Sequence, residues 1–230
     1  MIKIFAMVSM LVLSACAQVS SNDVDPSTVN GSITVERDGA SSLATVSTVF
    51  FVGGPTGTVM TVDSPASITV DGQNCTANHE PVLNMTTYGA TVNAAQSSTT
   101  VVYTDKNGQP YSNQILIPGA LSMSVPSGTV SIAQGFTLSF TTDKPFVAGQ
   151  ELQVTLASST GSSFQSYPLL TNATTGSQLI SSASLQGLAL GNVSVSACVV
   201  TYPTPQAPFP KGTTITSKAC VQGETINLGM

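Results

Sequence analysis

The chain of 230 residues carries one histidine, His79, in the stretch NCTANHEPV, four positions after Cys75 and directly before Glu80. An imidazole can serve as base for a serine nucleophile when a third group orients it. Cys-x-x-x-His can also offer two ligands to a metal. Neither set is completed. There is no Gly-x-Ser-x-Gly elbow, and a structural zinc takes four ligands, whereas the sequence shows a single pair. The expectation is a solvated loop histidine, with no catalytic residue, no metal site and no cofactor. Glu36 and Asp38 stand two apart and share one strand face, and paired carboxylates can do acid–base work. Nothing around them signals burial, so a solvated strand end is expected. Asp105-x-Asn107-Gly108 resembles the start of a calcium loop but lacks the further oxygens and the distant Glu. It reads as a hairpin turn. Tyr88, Tyr103 and Tyr111 are the aromatic residues available for a sugar platform in a chain without tryptophan; cross-strand packing is their expected role.

The elements that would position these groups are strands. Phe136, Leu138 and Phe140 alternate with Thr and Ser, as do Leu152, Val154 and Leu156, and then Val193, Val195, Ala197 and Val199. Such alternation puts one face on a core and the other in water. Residues 46–52, VSTVFFV, are apolar on both faces and suit a central strand. Asp71-Gly72 and Asn107-Gly108 predict hairpins, because they accept the positive φ of tight turns. Residues 177–190 have room for one or two helical turns. Many short strands punctuated by turns predict an all-β sandwich fold. Pro118-Gly119 breaks the pattern between Ile117 and Leu121, which divides the chain into sandwiches at 30–118 and 119–230. The rhythm of residues 185–199, LQGLALGNVSVSACV, resembles immunoglobulin-like and fibronectin-type modules. That resemblance implies two consecutive immunoglobulin-like domains, although the Cys…Trp…Cys spacing is absent.

At the start, Lys3 precedes an apolar stretch from Ile4 to Leu13. It is too short for a membrane helix, which needs about 20 residues, and fits a secretory signal peptide over residues 1–15. Ala15-Cys16-Ala17 satisfies a small-x-small cleavage site that would release a soluble protein beginning at Gln18. Leu13-Ser14-Ala15-Cys16 resembles the lipobox of bacterial lipoproteins. The resemblance implies a diacylglyceryl group on Cys16, cleavage before it and acylation of the new amine. Two or three acyl chains hold a protein on a membrane far more firmly than one. Ala17 follows the cysteine where lipoproteins of the inner membrane often carry Asp, which implies the outer membrane. Residues 16–29 are small and polar, and predict a flexible tether.

Removal of residues 1–15 leaves 11 acidic and 5 basic residues, a net charge of −6. That argues against a nucleic-acid partner, whose binding needs clustered Lys and Arg. Only 7% of residues are charged, while Ser and Thr together number 61. The surface is therefore solvated mainly by hydroxyls.

Lipidation of Cys16 leaves Cys75, Cys198 and Cys220. Cys198 points away from the Val193–Val199 core face, and Cys220 away from the face of Ile215, Ala219 and Val221. Two strands joined by the intervening loop would put both thiols on one side of a sheet, so Cys198–Cys220 is the predicted disulfide and Cys75 an inert buried thiol. The rival is a bridge from Cys75 to either partner. The loop YPTPQAPFPKG (202–212) has four prolines between Pro203 and Pro210 and predicts an extended segment. It is either a stiff connector or an interaction loop in which Pro205, Pro208 and Phe209 meet a partner. The expected function is a membrane-anchored, exported structural or protein-interaction module of the cell envelope. Its partners are the membrane, through the lipid, and an unidentified envelope protein or glycan. The alternatives are a glycan- or adhesin-type binding module and an envelope hydrolase using carboxylates or His79.

Overall fold

Hydroxylated and apolar residues alternate along nearly every extended segment, and the backbone follows that pattern. A computed structural model describes residues 18–230. The expected signal peptide and Cys16 lie outside the described residues. The described residues open with β1 (Val19–Ser20), make a 3-10 turn over Pro26–Thr28, and continue through β2 (Val29–Asp38), β3 (Leu43–Val52), β4 (Thr58–Thr61), β5 (Ser67–Val70) and β6 (Gln73–Asn74). Next come β7 (Thr76–Glu80), β8 (Met85–Asn93), β9 (Ser98–Thr104), β10 (Pro110–Leu116), β11 (Leu121–Ser124) and β12 (Thr129–Ser131). The remaining strands are β13 (Phe136–Thr142), β14 (Glu151–Ala157), β15 (Ser162–Pro168), β16 (Thr175–Ile180), β17 (Gly191–Thr201) and β18 (Thr213–Gly229). A single helical turn, α1 (Ser182–Leu185), lies between β16 and β17.

The fold is all-β, with sheets stacked as sandwiches around one long sheet. That sheet runs β1-β4-β3-β2-β18-β17-β14-β15, with β8 also on β3, β7 on β8 and β12 on β18. A four-stranded sheet, β10-β9-β5-β6, and a three-stranded sheet, β11-β13-β16, complete it. Buried apolar side chains sort into two clusters. One draws on residues from Val24 to Ile117 together with Phe209 and Ile215. The other runs from Leu121 to Leu228. The backbone does not respect this division. β18 pairs in parallel with β2 from Thr213↔Gly31 to Cys220↔Asp38, and antiparallel with β17 from Ser217↔Thr201 to Leu228↔Gly191. A bulge where the β17 register shifts between Val195 and Ala197 brings Gly223 to φ +98, a left-handed conformation that suits glycine.

The strand VSTVFFV is central: β3 pairs along its length with β2 and shares its other side between β8 and β4. Asp71 (φ +48) and Gly72 (φ +78) form the two-residue turn between β5 and β6, as Asp-Gly requires. One expectation fails at the beginning of the body. Residues 18–29 are not a free tether. β1 pairs in parallel with β4, Val24 is 5% exposed in the first core, and the Ser20 hydroxyl donates to Asp63 Oδ2 at 2.7 Å. Two valines five positions apart anchor a segment whose polar composition hides them.

Candidate functional site

Ser32, Thr34, Glu36 and Asp38 form the solvent side of β2, while Ile33, Val35 and Arg37 face inward. Thr214, Thr216, Lys218 and Cys220 continue the outer side on β18. The ladder between these strands ends at Asp38↔Cys220, where the Gly39 N–H donates to the Cys220 carbonyl at 2.6 Å and β18 continues alone into the second sandwich. A surface groove of 770 Å³ opens there, lined by Glu36, Asp38, Leu43, Thr91, Cys220 and Gln222 among others. Glu36 and Asp38 thus do share a face, but Glu36 Oε2 is 3.0 Å from Lys218 Nζ with its side chain 45% exposed. An exposed pair of this kind contributes about 0–1 kcal/mol. Carboxylate catalysis calls for one acid kept protonated by an apolar pocket; Asp38 is exposed, and Glu36 is half-exposed and paired with a lysine.

The Cys198 and Cys220 side chains meet beside this groove. The register pairs the two residues directly, with Cα atoms 4.1 Å apart, and they form a disulfide. Cys75 is the free cysteine among the described residues. It is partly rather than fully buried, it packs against the first core, and burial pushes its thiol up. His79 is on β7, a strand rather than a loop, and is exposed. Its Nδ1 lies 3.3 Å from Gln18 Nε2 and 3.4 Å from Thr86 Oγ1. Asp105 is 3% exposed. Its Oδ1 accepts from the backbone N–H groups of Asn107 and Gln109 at 2.8 and 3.0 Å, which closes the turn by local hydrogen bonding. Among the described residues, no three His, Cys, Asp or Glu side chains gather as a metal site.

The proline-rich loop differs from expectation where it matters most. Phe209 is 1% exposed and cannot be offered to a partner. Its ring centroid lies 5.3 Å from that of Phe50, 5.4 Å from Tyr103 and 6.0 Å from Tyr111, distances at which aromatic pairs attract. The ring fills the space over Gly31, where a Cβ would come 2.3 Å from Phe209 Cε2. Asn113, fully buried, holds the loop down: its Oδ1 accepts from the N–H of Gln206 and Ala207, and its Nδ2 donates to the Ala207 carbonyl. Prolines specify an extended path but not which side chain turns inward. Tyr88 and Tyr103 are core residues, and Tyr111 packs against them half-buried. Burial, with the Asp105 charge adding to it, pushes Tyr103 up to about 12.

Pro205 is half-buried and Pro208 exposed. The loop still borders a second groove, of 590 Å³, between the two sandwiches. Tyr202 (59% exposed) and Leu116 (44%) lie along it, with the side-chain amides of Gln114 and Gln206 and the Ser98 hydroxyl. Tyr202 was reachable from sequence, as the exposed neighbour of a proline run; Leu116 was not, since it sits at the end of an alternating strand like many others.

Near this groove, Arg37 and Lys144 link strands of the two apolar clusters. Arg37, 5% exposed, donates from Nε to the Ser41 carbonyl at 2.7 Å and from Nη1 to the Pro118 carbonyl, and pairs with Asp143 at 3.1 Å. Lys144 Nζ donates to the carbonyls of Ala94, Gln96 and Ile117 at 2.9, 2.6 and 3.1 Å. Burial, and then the neighbouring Arg37 charge, lowers the Lys144 pKa, with Asp143 opposing. No protein-family model matches the chain, and no curated protein matches it.

Proposed function

We propose that the chain is an exported, lipid-anchored protein of the bacterial cell envelope that works as a protein-interaction module. The observation that carries the interaction reading is the groove between the clasped sandwiches, where Tyr202 and Leu116 expose apolar surface beside amide side chains. Contact surfaces favour such aromatic residues within a polar rim. Export is supported by the Cys198–Cys220 disulfide, a bond that persists in oxidising compartments, and anchoring by the lipobox-like Leu13-Ser14-Ala15-Cys16. The outer membrane fits Ala17 after the cysteine.

Mass spectrometry of the native protein tests the anchor: a diacylated N-terminal Cys16 is expected, and an unmodified start at Gln18 refutes it. A photo-crosslinking residue at Tyr202, compared with one at Leu179, tests the groove. A discrete crosslinked envelope protein at Tyr202 alone is expected. Tyr202 also suits a glycan-binding reading, because a ring flanked by amides and hydroxyls suits a sugar. Absence of any crosslink, with binding of soluble glycans lost in Tyr202→Ala, favours that reading.

A further inference from the structure

The entry of the chain into the fold lies against one particular turn. Gln18 Nε2 donates to the Asn84 carbonyl at 2.9 Å and to Thr86 Oγ1 at 3.1 Å. Asn84 closes the turn between β7 and β8, and Thr86 pairs with His79 across that hairpin. At the tip of the turn, Val82 is 88% and Leu83 65% exposed, two consecutive aliphatic side chains open to solvent, where other exposed large apolar residues such as Leu170, Leu179 and Phe164 stand singly in sequence. Cys16 stands two positions before Gln18, and two residues of extended chain span at most about 7 Å. An acylated Cys16 would therefore hold this hairpin against the bilayer instead of letting the body drift on a tether.

The rest of the fold leads away from that end. Met85 and Glu80 lie beside the turn, and β8 then runs along β3 to Asn93↔Leu43. β3 is antiparallel to β2, so the tip lies toward the Val29 end of β2. β18 runs parallel to β2 away from that end and carries on into the second sandwich. Glu80 beside the tip opposes electrostatic docking on anionic headgroups, so the contact must come from apolar burial.

We propose that Val82 and Leu83 insert into the interface of the phospholipid bilayer in which the acylated Cys16 is anchored, so that the protein stands on its β7–β8 tip with the second sandwich farthest from the membrane. This rests on the lipid-anchor reading. The chain has no tryptophan, so Leu83→Trp supplies the sole indole, with Val82→Trp as a second reporter. The full-length protein, purified from membranes, is reconstituted in vesicles of phosphatidylethanolamine and phosphatidylglycerol containing dibrominated phosphatidylcholine, and its intact mass is measured. Expected are a blue-shifted emission and at least twofold quenching at both tip positions, unaffected by salt, and none for Leu179→Trp on the second sandwich. A protein that carries the lipid and floats with vesicles, yet shows unshifted and unquenched tip emission, overturns the orientation alone. A mass without lipid overturns the anchor reading and the orientation with it.

Discussion

Phe209 and Gly31 form a pair whose coupling can be measured. Phe209→Ala removes a ring that is 1% exposed and contacts three other rings. Truncations of this kind cost about 3–5 kcal/mol. Gly31→Ala adds one methyl at a position whose Cβ falls 2.3 and 2.6 Å from two Phe209 ring carbons, with the Val49 carbonyl next at 3.3 Å. The ring must move, and overpacking costs about 1–3 kcal/mol. In the double variant the ring is gone and the methyl enters vacated space, with only the Val49 carbonyl still close. The double variant should then be about as stable as Phe209→Ala alone, or slightly more stable, giving a coupling of about 1–3 kcal/mol. Urea unfolding followed by circular dichroism gives all four free energies, with the slope checked for constancy. Additive costs would refute the placement of the ring over Gly31. A Phe209→Ala cost below about 1 kcal/mol would return Phe209 to the surface and restore its presentation to a partner.

Three further outcomes follow from the same packing. Thr48 is fully buried with no hydrogen-bond partner for Oγ1 among the described residues, so Thr48→Val should raise stability by about 1 kcal/mol; a loss would reveal a partner for the hydroxyl. Tyr103 is 2% exposed and pushed up to about 12, above the ordinary phenol value. Its contribution is therefore complete below about pH 10 and is lost as pH rises toward 12, by about 2–3 kcal/mol at about 1.4 kcal/mol per unit. Denaturation from pH 8 to 12 should show wild type losing more stability than Tyr103→Phe, and equal losses would refute this. Replacing both Cys198 and Cys220 by Ala opens a loop of 22 residues and should cost about 3 kcal/mol in the chain-entropy account; unchanged unfolding would argue against the bond.

Period-two alternation made the strands, the hairpins and the disulfide legible. Cys198 and Cys220 each stand out of phase with their apolar neighbours, and the ladder brings those phases together. What alternation does not encode is which strand lies beside which. The parallel pairing of β2 with β18 joins opposite ends of the chain, and nothing local to either strand announces it. Arg37 shows the same limit: it occupies an inward position after Ile33 and Val35, and beside the local Ser41 carbonyl it takes the distant Asp143 and the Pro118 carbonyl to account for a buried guanidinium there. The ordered path of residues 18–29 is not legible because Val19 and Val24 are too few to make a period. Of the candidate residues, Asp105 closes the turn that Asn107-Gly108 announces, while His79 lies on a strand that its polar neighbours do not announce. The inward turn of Phe209 is not legible either, because it is set by Asn113 and Gly31 on strands distant in sequence.

The shared strand β18 dictates the order in which this protein can be assembled. Neither sandwich is complete until the last residues of the chain are present, since β2, among the first strands made, waits for β18, the last. Contacts of such sequence separation are slow to form, and until they do the side of β2 that β18 will cover is an open edge prone to mispairing. Loss of the segment from Thr213 onward would accordingly disable both sandwiches together, so a truncation late in the chain would damage its beginning as much as its end.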